Sequence, residues 1–577
     1  MEIGSIVEGR TLYPHSPTPL NVSEFRGKGL GEHLLAAVQR HLDLNGDGDW
    51  LVNGSLRAVG KSNVFGKEAF TFGEVEPRVR QVARILHQEF GVVQGDAAHF
   101  VMPGNTEMFI PVIGVWLLHG VVSAGDPDLS EEVIAIQLTE IVAKVVFCCS
   151  NTLEKVRRAT EITGRKIPVI VMDKGEGLKE GEHSLEALVA RDDLGCFDGD
   201  LPIAAFHENE VIVIGWSSGT TGRPKGIQSG SNLFYQIIHA WQQLNLTSIL
   251  QTTCFFHIGG FLGPLLSLFI GFQTYFIPPE DLNDDICLIM RVAEKCEAPS
   301  IICGSHHLIQ LASVEMPHGQ DPVSTIRILM PVGTNVYDGI FADLKGKFPC
   351  ATGVVNVYGQ TEGGVVAQSM DQKYLGGVIC EAVRIVDPET GEALGPGEVG
   401  EITYKSSCPM IGYLNNQEEN DKFFGSDGFL HSGDLGHYDD KGTLYYDGRL
   451  KELIKYKSFH LYPNELEEIL LRHEDVQDAA VFGKPEPSVQ ELVTALVVPK
   501  LGANVSTEEL QKLVGQQVDE RKLLRGGVHF VQKIPRNPQG KILRKKLINL
   551  IDLVYCVVPF PQCTYTVQSN KAFIISF

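Results

Sequence analysis

Ten consecutive residues, Ser217-Ser218-Gly219-Thr220-Thr221-Gly222-Arg223-Pro224-Lys225-Gly226, carry the densest chemistry in the chain. Glycines let a backbone fold tightly and bring several N–H groups to one point. The hydroxyls add donors and the two cations add charge, a combination that suits a polyphosphate. Two other readings compete. One is a Gly/Ser/Thr surface turn, because short motifs often match by chance. The other is a hydrolase elbow, since Gly215-Trp216-Ser217-Ser218-Gly219 has the G-x-S-x-G form after a strand. An elbow needs a helix at the serine, and Thr-Thr-Gly-Arg-Pro does not start one cleanly. No Walker spacing is present.

Further stretches downstream add chemistry of matching kinds. In Asn356-Val357-Tyr358-Gly359-Gln360-Thr361-Glu362, Tyr358 offers a face to an adenine ring and Thr361 a donor to a phosphate oxygen. Glu362 is a hard oxygen ligand for Mg²⁺ carried in with ATP, and Gly359 and Gln360 are counted with the nucleotide site. In His431-Ser432-Gly433-Asp434-Leu435-Gly436, Asp434 is suited to accept both ribose hydroxyls, as acidic residues do in dinucleotide sites. His257 lies among aromatics in Phe255-Phe256-His257-Ile258-Gly259, and Lys541 follows a glycine in a Pro-punctuated loop, Pro535–Arg544. Each has a plainer reading: a polar strand-end turn, a core histidine, a surface lysine.

Together, and in this order, these stretches closely resemble the motifs of the adenylate-forming superfamily, which holds acyl- and aryl-CoA ligases, beetle luciferases and adenylation domains. The resemblance runs from about Thr71 to Leu547. It implies that residues 217–225 cradle phosphates and that His257 lies in the acyl-acid pocket near the reacting carboxylate. Gly333-Thr334-Asn335-Val336 stands where the family has Gly-Ala-Pro-Leu against adenine and acyl group, and Thr334 and Asn335 make that place more polar. Arg449 is implied to reach the ribose and Lys451 to mark a hinge. Lys541 is implied to bridge the carboxylate and the α-phosphate. The element around Lys455 then replaces it for a second step.

The implied reaction makes an acyl-adenylate and pyrophosphate from Mg²⁺-bound ATP and a carboxylic acid, a medium- or long-chain fatty acid or a cinnamate-type aromatic one, then a thioester with coenzyme A. Ser458 and His460 stand where the family commonly has Gly and Gln along the thiol tunnel, which bears on that second step. A luciferase-like monooxygenase is the alternative, although Ile258 replaces the second histidine that luciferases usually carry. An adenylating relative impaired in thioester formation and a non-catalytic nucleotide binder are further readings. Retention of Thr361, Glu362, Asp434, Arg449 and Lys541 argues against the last.

Positioning these residues requires an α/β scaffold. From Ala69 to about Asp200 helices and short apolar strands alternate: helices over Glu74–Phe90 and Glu107–His119, strands at Ala97–Met102, Val121–Ala124, Val145–Cys148 and Val169–Met172. A strand is expected at 211–214, before the hydroxyl-rich loop. The fold expected is a large multi-subdomain α/β portion with mostly parallel sheets, residues 1–448, and a small α+β lid, 449–547. An apolar tail, 548–577, resembles nothing in the family.

The chain has 577 residues, and single cores stop growing at about 250–300, so several lobes are expected. Net charge is -22, which disfavours nucleic acid as a partner and makes any cationic site a local focus. The 12 cysteines lack C-x-x-C and zinc spacings and read as free thiols in a reducing compartment. Asp43–Gly48 starts like a calcium loop, but the twelfth position is Gly54, so it reads as an acidic turn. The uncharged run 258–278 holds four glycines and two prolines, and reads as a buried helix stopped at Gly271 rather than a membrane span. A cytoplasmic location is expected; the ending Ile575-Ser576-Phe577 is not a peroxisomal address, though the family allows that compartment.

Overall fold

Short β-branched runs separated by amphipathic helices build two mostly parallel sheets. The structure is a computed structural model that describes residues 5–14, 29–53, 68–173, 177–191, 210–217, 224–242, 246–316, 321–332, 338–369, 375–457, 459–500, 502–536, 541–544, 546–548 and 550. The chain forms two units. The first takes Met1–Arg384, Thr403–Ser432 and Lys441–Leu444; the second takes Ile385–Ile402, Gly433–Asp440 and Tyr445–Phe577. The boundary suggested by sequence, at 448/449, falls inside the last of these segments.

In the first sheet of unit one, β1 (Ala97–Val101) and β2 (Val121–Gly125) are parallel, and β3 (Val213–Ser217) runs parallel to β2. Strands Val145–Cys148, Val169–Val171 and Glu182–Ser184 continue the parallel run beyond β1. Every residue of β1 and β2 is buried, as expected of strands covered on both faces. On the other side β4 (Lys225–Ser229) pairs antiparallel with β3, and Gly412–Tyr413 pairs antiparallel with β4. The strand expected at 211–214 is thus shifted to 213–217. Pairing decides the shift: Val213 and Ile214 lie opposite Val122 and Ser123, and Ser217 lies opposite Lys225. The helix expected over 107–119 divides into a 3₁₀ turn, Thr106–Met108, and a helix, Phe109–Leu117. Asn105 caps that turn, its side chain accepting from the Met108 N–H at 2.9 Å.

The second sheet is built from β5 (Ser248–Gln251), α1 (Ile258–Ile270), β6 (Gln273–Phe276), β7 (Ser300–Gly304), α2 (Ser305–Ser313) and β8 (Ile328–Val332). Its strand order is Gly353–Val354, β8, β7, β5, β6, Asp49–Asn53, Ala69–Thr71, parallel but for the last pair. The acidic turn is structural. Its Asp47 accepts from the Gly73 N–H at 2.9 Å and the Thr71 hydroxyl at 3.2 Å, closing the start of the Phe72–Phe90 helix. A hairpin of β9 (Asn356–Gln360) and β10 (Gly364–Ser369) belongs to a small third sheet.

Unit two contains Asp434, within β11 (Leu430–Tyr438), and Arg449, at the end of β12 (Leu444–Arg449). Next come β13 (Ile454–Tyr456), β14 (Phe459–Leu461), α3 (Pro463–Leu471), β15 (Val476–Glu486), β16 (Gln490–Pro499), α4 (Thr507–Gly515) and β17 (Val528–Phe530). Pro463 opens α3, where its missing N–H costs nothing. β16 pairs antiparallel with β15 and parallel with β17, an α+β arrangement closed over Leu466, Leu470, Val481, Val497 and Leu510.

The uncharged run 258–278 is α1 followed by β6, with Gly271 at φ 91° between them, and no described helix is long and apolar enough to cross a membrane. Pro264 lies inside α1 and cannot bond the carbonyl four residues back. That carbonyl, of Gly260, instead accepts from the Gln251 side chain at 2.6 Å. A Cβ on Gly260 would fall 2.0 Å from the Cys254 carbonyl oxygen, so only glycine lets α1 lie this close to the end of β5. Alanine gains roughly 1 kcal/mol over glycine in helix propensity, but forcing an atom into a packed core typically costs about 1–3 kcal/mol and here it meets unyielding backbone. Gly260→Ala is therefore expected to lower the urea midpoint of the protein; an unchanged or raised midpoint would count against this packing.

Candidate active site

The hydroxyl-rich loop closes a hairpin. Ser217 ends β3 and Lys225 begins β4, and the two are register partners. Ser218, Gly219, Thr220, Thr221 and Gly222 lie outside the described residues. A strand, not a helix, follows the loop, which removes the hydrolase-elbow reading. Because Gly412–Tyr413 pairs with β4, Tyr413 comes beside Lys225, whose Nζ lies 5.5 Å from the tyrosine ring centroid. Lys225 also forms an ion pair with Glu419, and this bond holds the Glu419 carboxyl below its usual range.

The root of the hairpin is braced from behind. The Trp216 indole N–H donates to Ser123 Oγ at 2.8 Å, and Ser123 Oγ lies 3.0 Å from His99 Nδ1. Burial pushes His99 down to about 4, so at neutral pH the imidazole is uncharged and one of its ring nitrogens is an acceptor. A serine hydroxyl accepts and donates at once, so it joins the indole and the imidazole across three adjacent strands.

The Tyr358–Glu362 element comes to the same hairpin. A Cβ on Gly215 would sit 3.6 Å from Thr361 Cγ2, so Thr361 packs against β3. The Tyr413 hydroxyl donates to Glu362 Oε1 at 3.0 Å, and the Met410 N–H donates to the Glu362 carbonyl at 2.7 Å. Lys225 and Glu362 thus meet at Tyr413, while Ser217 lies opposite Lys225 and Thr361 packs against β3. Gly359 faces the Gly364 carbonyl so closely that a Cβ would fall 2.4 Å from it. Tyr358 is buried on the Asn356 side of β9, while Val357 and Gly359 face outward. Gln360 is a brace: its side-chain amide donates to the Ser432 carbonyl at 2.8 Å, and the Tyr404 hydroxyl approaches its oxygen at 3.4 Å.

His257 is the N-cap of α1, its Nδ1 3.4 Å from the Gly259 N–H. Burial pushes its pKa to about 4, so the imidazole is neutral. Gly333 and Thr334, which directly follow the end of β8, lie outside the described residues.

Within unit two, the Asp434 side chain is 2% exposed and forms an ion pair with Arg449, Nε to Oδ1 2.7 Å, whereas the Arg449 side chain is 37% exposed. Gly433, at φ 68°, turns β11 so that its N–H donates to Glu401 at 2.9 Å. Lys541 belongs to the same electrostatic neighbourhood. Burial and then Arg449 lower its pKa, while Glu452 and Asp434 oppose the shift. The segment around Lys541 is pinned on both sides. Arg544 reaches Glu452 at 2.8 Å, Glu467 at 2.5 Å and the Val481 carbonyl at 2.6 Å, and Arg536 reaches Asp478 at 2.7 Å. Lys455 is exposed on β13 opposite His460, and its own N–H is tied to Glu491 at 2.7 Å. Ser458 lies outside the described residues.

Comparison with known proteins decides what this arrangement belongs to. Residues 55–414 match the AMP-binding enzyme family, and 465–541 match the AMP-binding enzyme C-terminal domain. The chain belongs to the AMP-binding enzyme family. It is 29% identical to "4-coumarate-CoA ligase 1" of Narcissus pseudonarcissus, over 84% of this chain and 89% of that one. It is 28% identical to "Luciferin 4-monooxygenase" of Photuris pensylvanica, over 90% and 95%. The fold matches the crystal structure of the anthranilate CoA ligase AuaEII in complex with anthranoyl-AMP, with TM-score 0.78 and 19% identity, covering 91% of this chain and 98% of that chain.

For an AMP-binding enzyme the donor set around Glu362 fits Mg²⁺. One carboxylate oxygen is held by Tyr413, and the described residues hold no group of three or more His, Cys, Asp or Glu side chains that would make a dedicated cage. Mg²⁺ suits such a site because it keeps waters and takes its remaining ligands from phosphates. Sequence reading missed Tyr413, Glu419, Ser123, Trp216 and Arg544. Each works through a long-range partner, and nothing in its own neighbourhood signals that partner.

The Asp434–Arg449 pair yields a test. Removing the cation leaves a buried carboxylate uncompensated, which costs about 3–5 kcal/mol where both partners are buried. Arg449 is more than a third exposed, so solvent screens part of that loss and about 1–3 kcal/mol is expected. Arg449→Ala should lower the denaturant midpoint of the ligand-free protein, and Arg449→Lys should recover part of it. Equal midpoints for Arg449→Ala and wild type would show that the pair is not structural.

Proposed function

We propose that this AMP-binding enzyme activates a small carboxylic acid to an acyl-adenylate and passes the acyl group to coenzyme A. In the first step a carboxylate oxygen attacks the α-phosphorus of ATP, and the bond to the β-phosphate oxygen breaks to release pyrophosphate. In the second, the coenzyme A thiol gives up its proton and its sulfur attacks the acyl carbon; the anhydride C–O bond breaks, and AMP leaves with the bridging oxygen. The observation that carries this reading is the gathering of Ser217, Lys225, Thr361 and Glu362 at the root of one hairpin, hydroxyls and a cation beside a single hard carboxylate.

Two anions must approach each other, so positive charge is the main requirement. Lys225 supplies it at the loop. Its pairing with Glu419 holds the ammonium in place until phosphate competes for it. Held by Glu362, Mg²⁺ would neutralise phosphate charge. Asp434 and Arg449 serve the ribose, Tyr358 and Gly359 the adenine side, and Gln360 sets their spacing. Neutral His257 approaches the carboxylate without adding a competing charge. Gly333 and Thr334 border the acyl group, and Lys541 bridges carboxylate and α-phosphate. Lys455, with His460 opposite, serves thioester formation.

The test is pyrophosphate release from ATP and Mg²⁺ over a panel of fatty and aromatic acids, with and without coenzyme A. The expected result is acid-dependent release that turns over with the thiol. No acid-dependent release would overturn the reading. Release of one equivalent with a trapped adenylate would direct the second step to another acceptor, O₂ included.

Removing one oxyanion-stabilising contact typically costs about 3–4 kcal/mol, so Lys541→Ala should slow pyrophosphate release roughly a hundred- to thousand-fold while ATP binding survives. Unchanged release would end the assignment. The pH profile gives an independent check. The ammonium must be protonated to serve, and burial with Arg449 lowers its pKa below the ordinary lysine value. The alkaline limb of adenylation should therefore begin below the range of a solvent-exposed lysine, and Lys541→Arg should remove that limb in whatever activity it retains.

A further inference from the structure

Two charged groups of the proposed site come from distant segments. Lys225 begins β4, and Glu362 lies in the turn between β9 and β10. One side chain lies against both. The Tyr413 hydroxyl donates to Glu362 Oε1 at 3.0 Å, and the Lys225 ammonium lies 5.5 Å from the centre of the Tyr413 ring.

Sheet register puts Tyr413 there. It is the antiparallel partner of Ile227, two residues beyond Lys225. On an antiparallel pair a long side chain reaches diagonally to the residue two positions along the partner strand, and here that residue is Lys225. The segment around Tyr413 is tied along its length. The Met410 N–H donates to the Glu362 carbonyl at 2.7 Å, the Ile411 N–H to the Gln228 carbonyl at 2.7 Å and the Leu414 N–H to the Gly226 carbonyl at 2.8 Å. The Asn420 side chain accepts from the Tyr413 N–H at 2.6 Å and donates to the Tyr413 carbonyl at 3.3 Å. Phe423 meets the tyrosine ring edge to face, with centroids 6.0 Å apart. Backbone and ring are therefore both fixed before any ligand arrives.

A carboxylate turns about its side chain, so a bond to one oxygen sets its orientation while acceptor positions remain for a cation. The face of the ring attracts an ammonium and keeps it on that side when phosphate replaces Glu419 as its anion. We infer that Tyr413 is a positioning residue for Mg²⁺-bound ATP, orienting Glu362 through its hydroxyl and steering Lys225 through its ring. This rests on the proposed function, because it takes Glu362 as the metal ligand and Lys225 as the phosphate cation.

The two contacts can be separated. Tyr413→Phe keeps the ring and removes the hydroxyl; Tyr413→Leu removes both. Binding of the fluorescent analogue N-methylanthraniloyl-ATP to the full-length protein is titrated with and without Mg²⁺. The Mg²⁺ concentration that half-saturates pyrophosphate release is the second readout. Wild type should bind the nucleotide more tightly with Mg²⁺. In Tyr413→Phe the factor of tightening should fall by about tenfold, with a matching rise in the Mg²⁺ requirement. Its metal-free affinity should stay within about twofold of wild type, whereas Tyr413→Leu should lose about threefold or more there as well. In a Glu362→Gln background, adding Tyr413→Phe should change the factor no further, because both act through one contact.

An unchanged factor in Tyr413→Phe, or equal losses with and without Mg²⁺ in both variants, overturns the inference, the second outcome marking Tyr413 as a support of the fold alone. Independent losses in the Glu362→Gln background also reject it, and this comparison decides if Tyr413→Leu does not fold. If Mg²⁺ tightens wild-type binding but no acid supports pyrophosphate release, the proposed function fails and the titrations alone judge Tyr413. If Mg²⁺ does not tighten wild-type binding, the inference fails whatever the release assay gives.

Discussion

In a chain of net charge -22 cations stand within an acidic field, and three of those beside the motif residues are tethered to carboxylates. In unit one Lys225 is paired with Glu419 and steadied by the Tyr413 ring. In unit two Arg449 is paired with Asp434, and Arg544 with Glu452 and Glu467. A tethered cation is already oriented, so binding an anion costs less side-chain entropy, at the expense of displacing a weaker partner. Lys541 differs: burial and then Arg449 lower its pKa, while Glu452 and Asp434 oppose the shift.

Backbone spacing is the second dependence. Three glycines stand where a side chain would collide with a neighbour. Gly359 touches the Gly364 carbonyl, Gly260 the Cys254 carbonyl and Gly304 the His306 ring. Each contact lies at or beside the carboxyl end of a strand. The polar braces behind them, Trp216 to Ser123 to His99 and Gln251 to Gly260, convert sheet register into the positions of loops.

Much of this is legible in the sequence. The alternation of helix and strand, the parallel character of the large sheets, the α+β small unit and the five motif regions all follow from local residue patterns. Local patterns also mark Pro463 as a helix opener and Gly271 as a helix stop. The 213–217 strand is misplaced by sequence alone because its limits depend on pairing with β2 and β4 rather than on its own apolar run. The Gln360 amide donates to the Ser432 carbonyl, 72 residues away, a contact that its own motif does not signal.

Family, element order and the types of side chain in each motif can all be read from the chain alone, because motif spacing and periodicity are properties of short segments. Which groups meet is a matter of tertiary structure. Tyr413 reaches Glu362 across 51 residues, Glu419 reaches Lys225 across 194, and Arg544 reaches Glu467 across 77. Such partners are fixed by sheet order and register, long-range properties that no single stretch encodes.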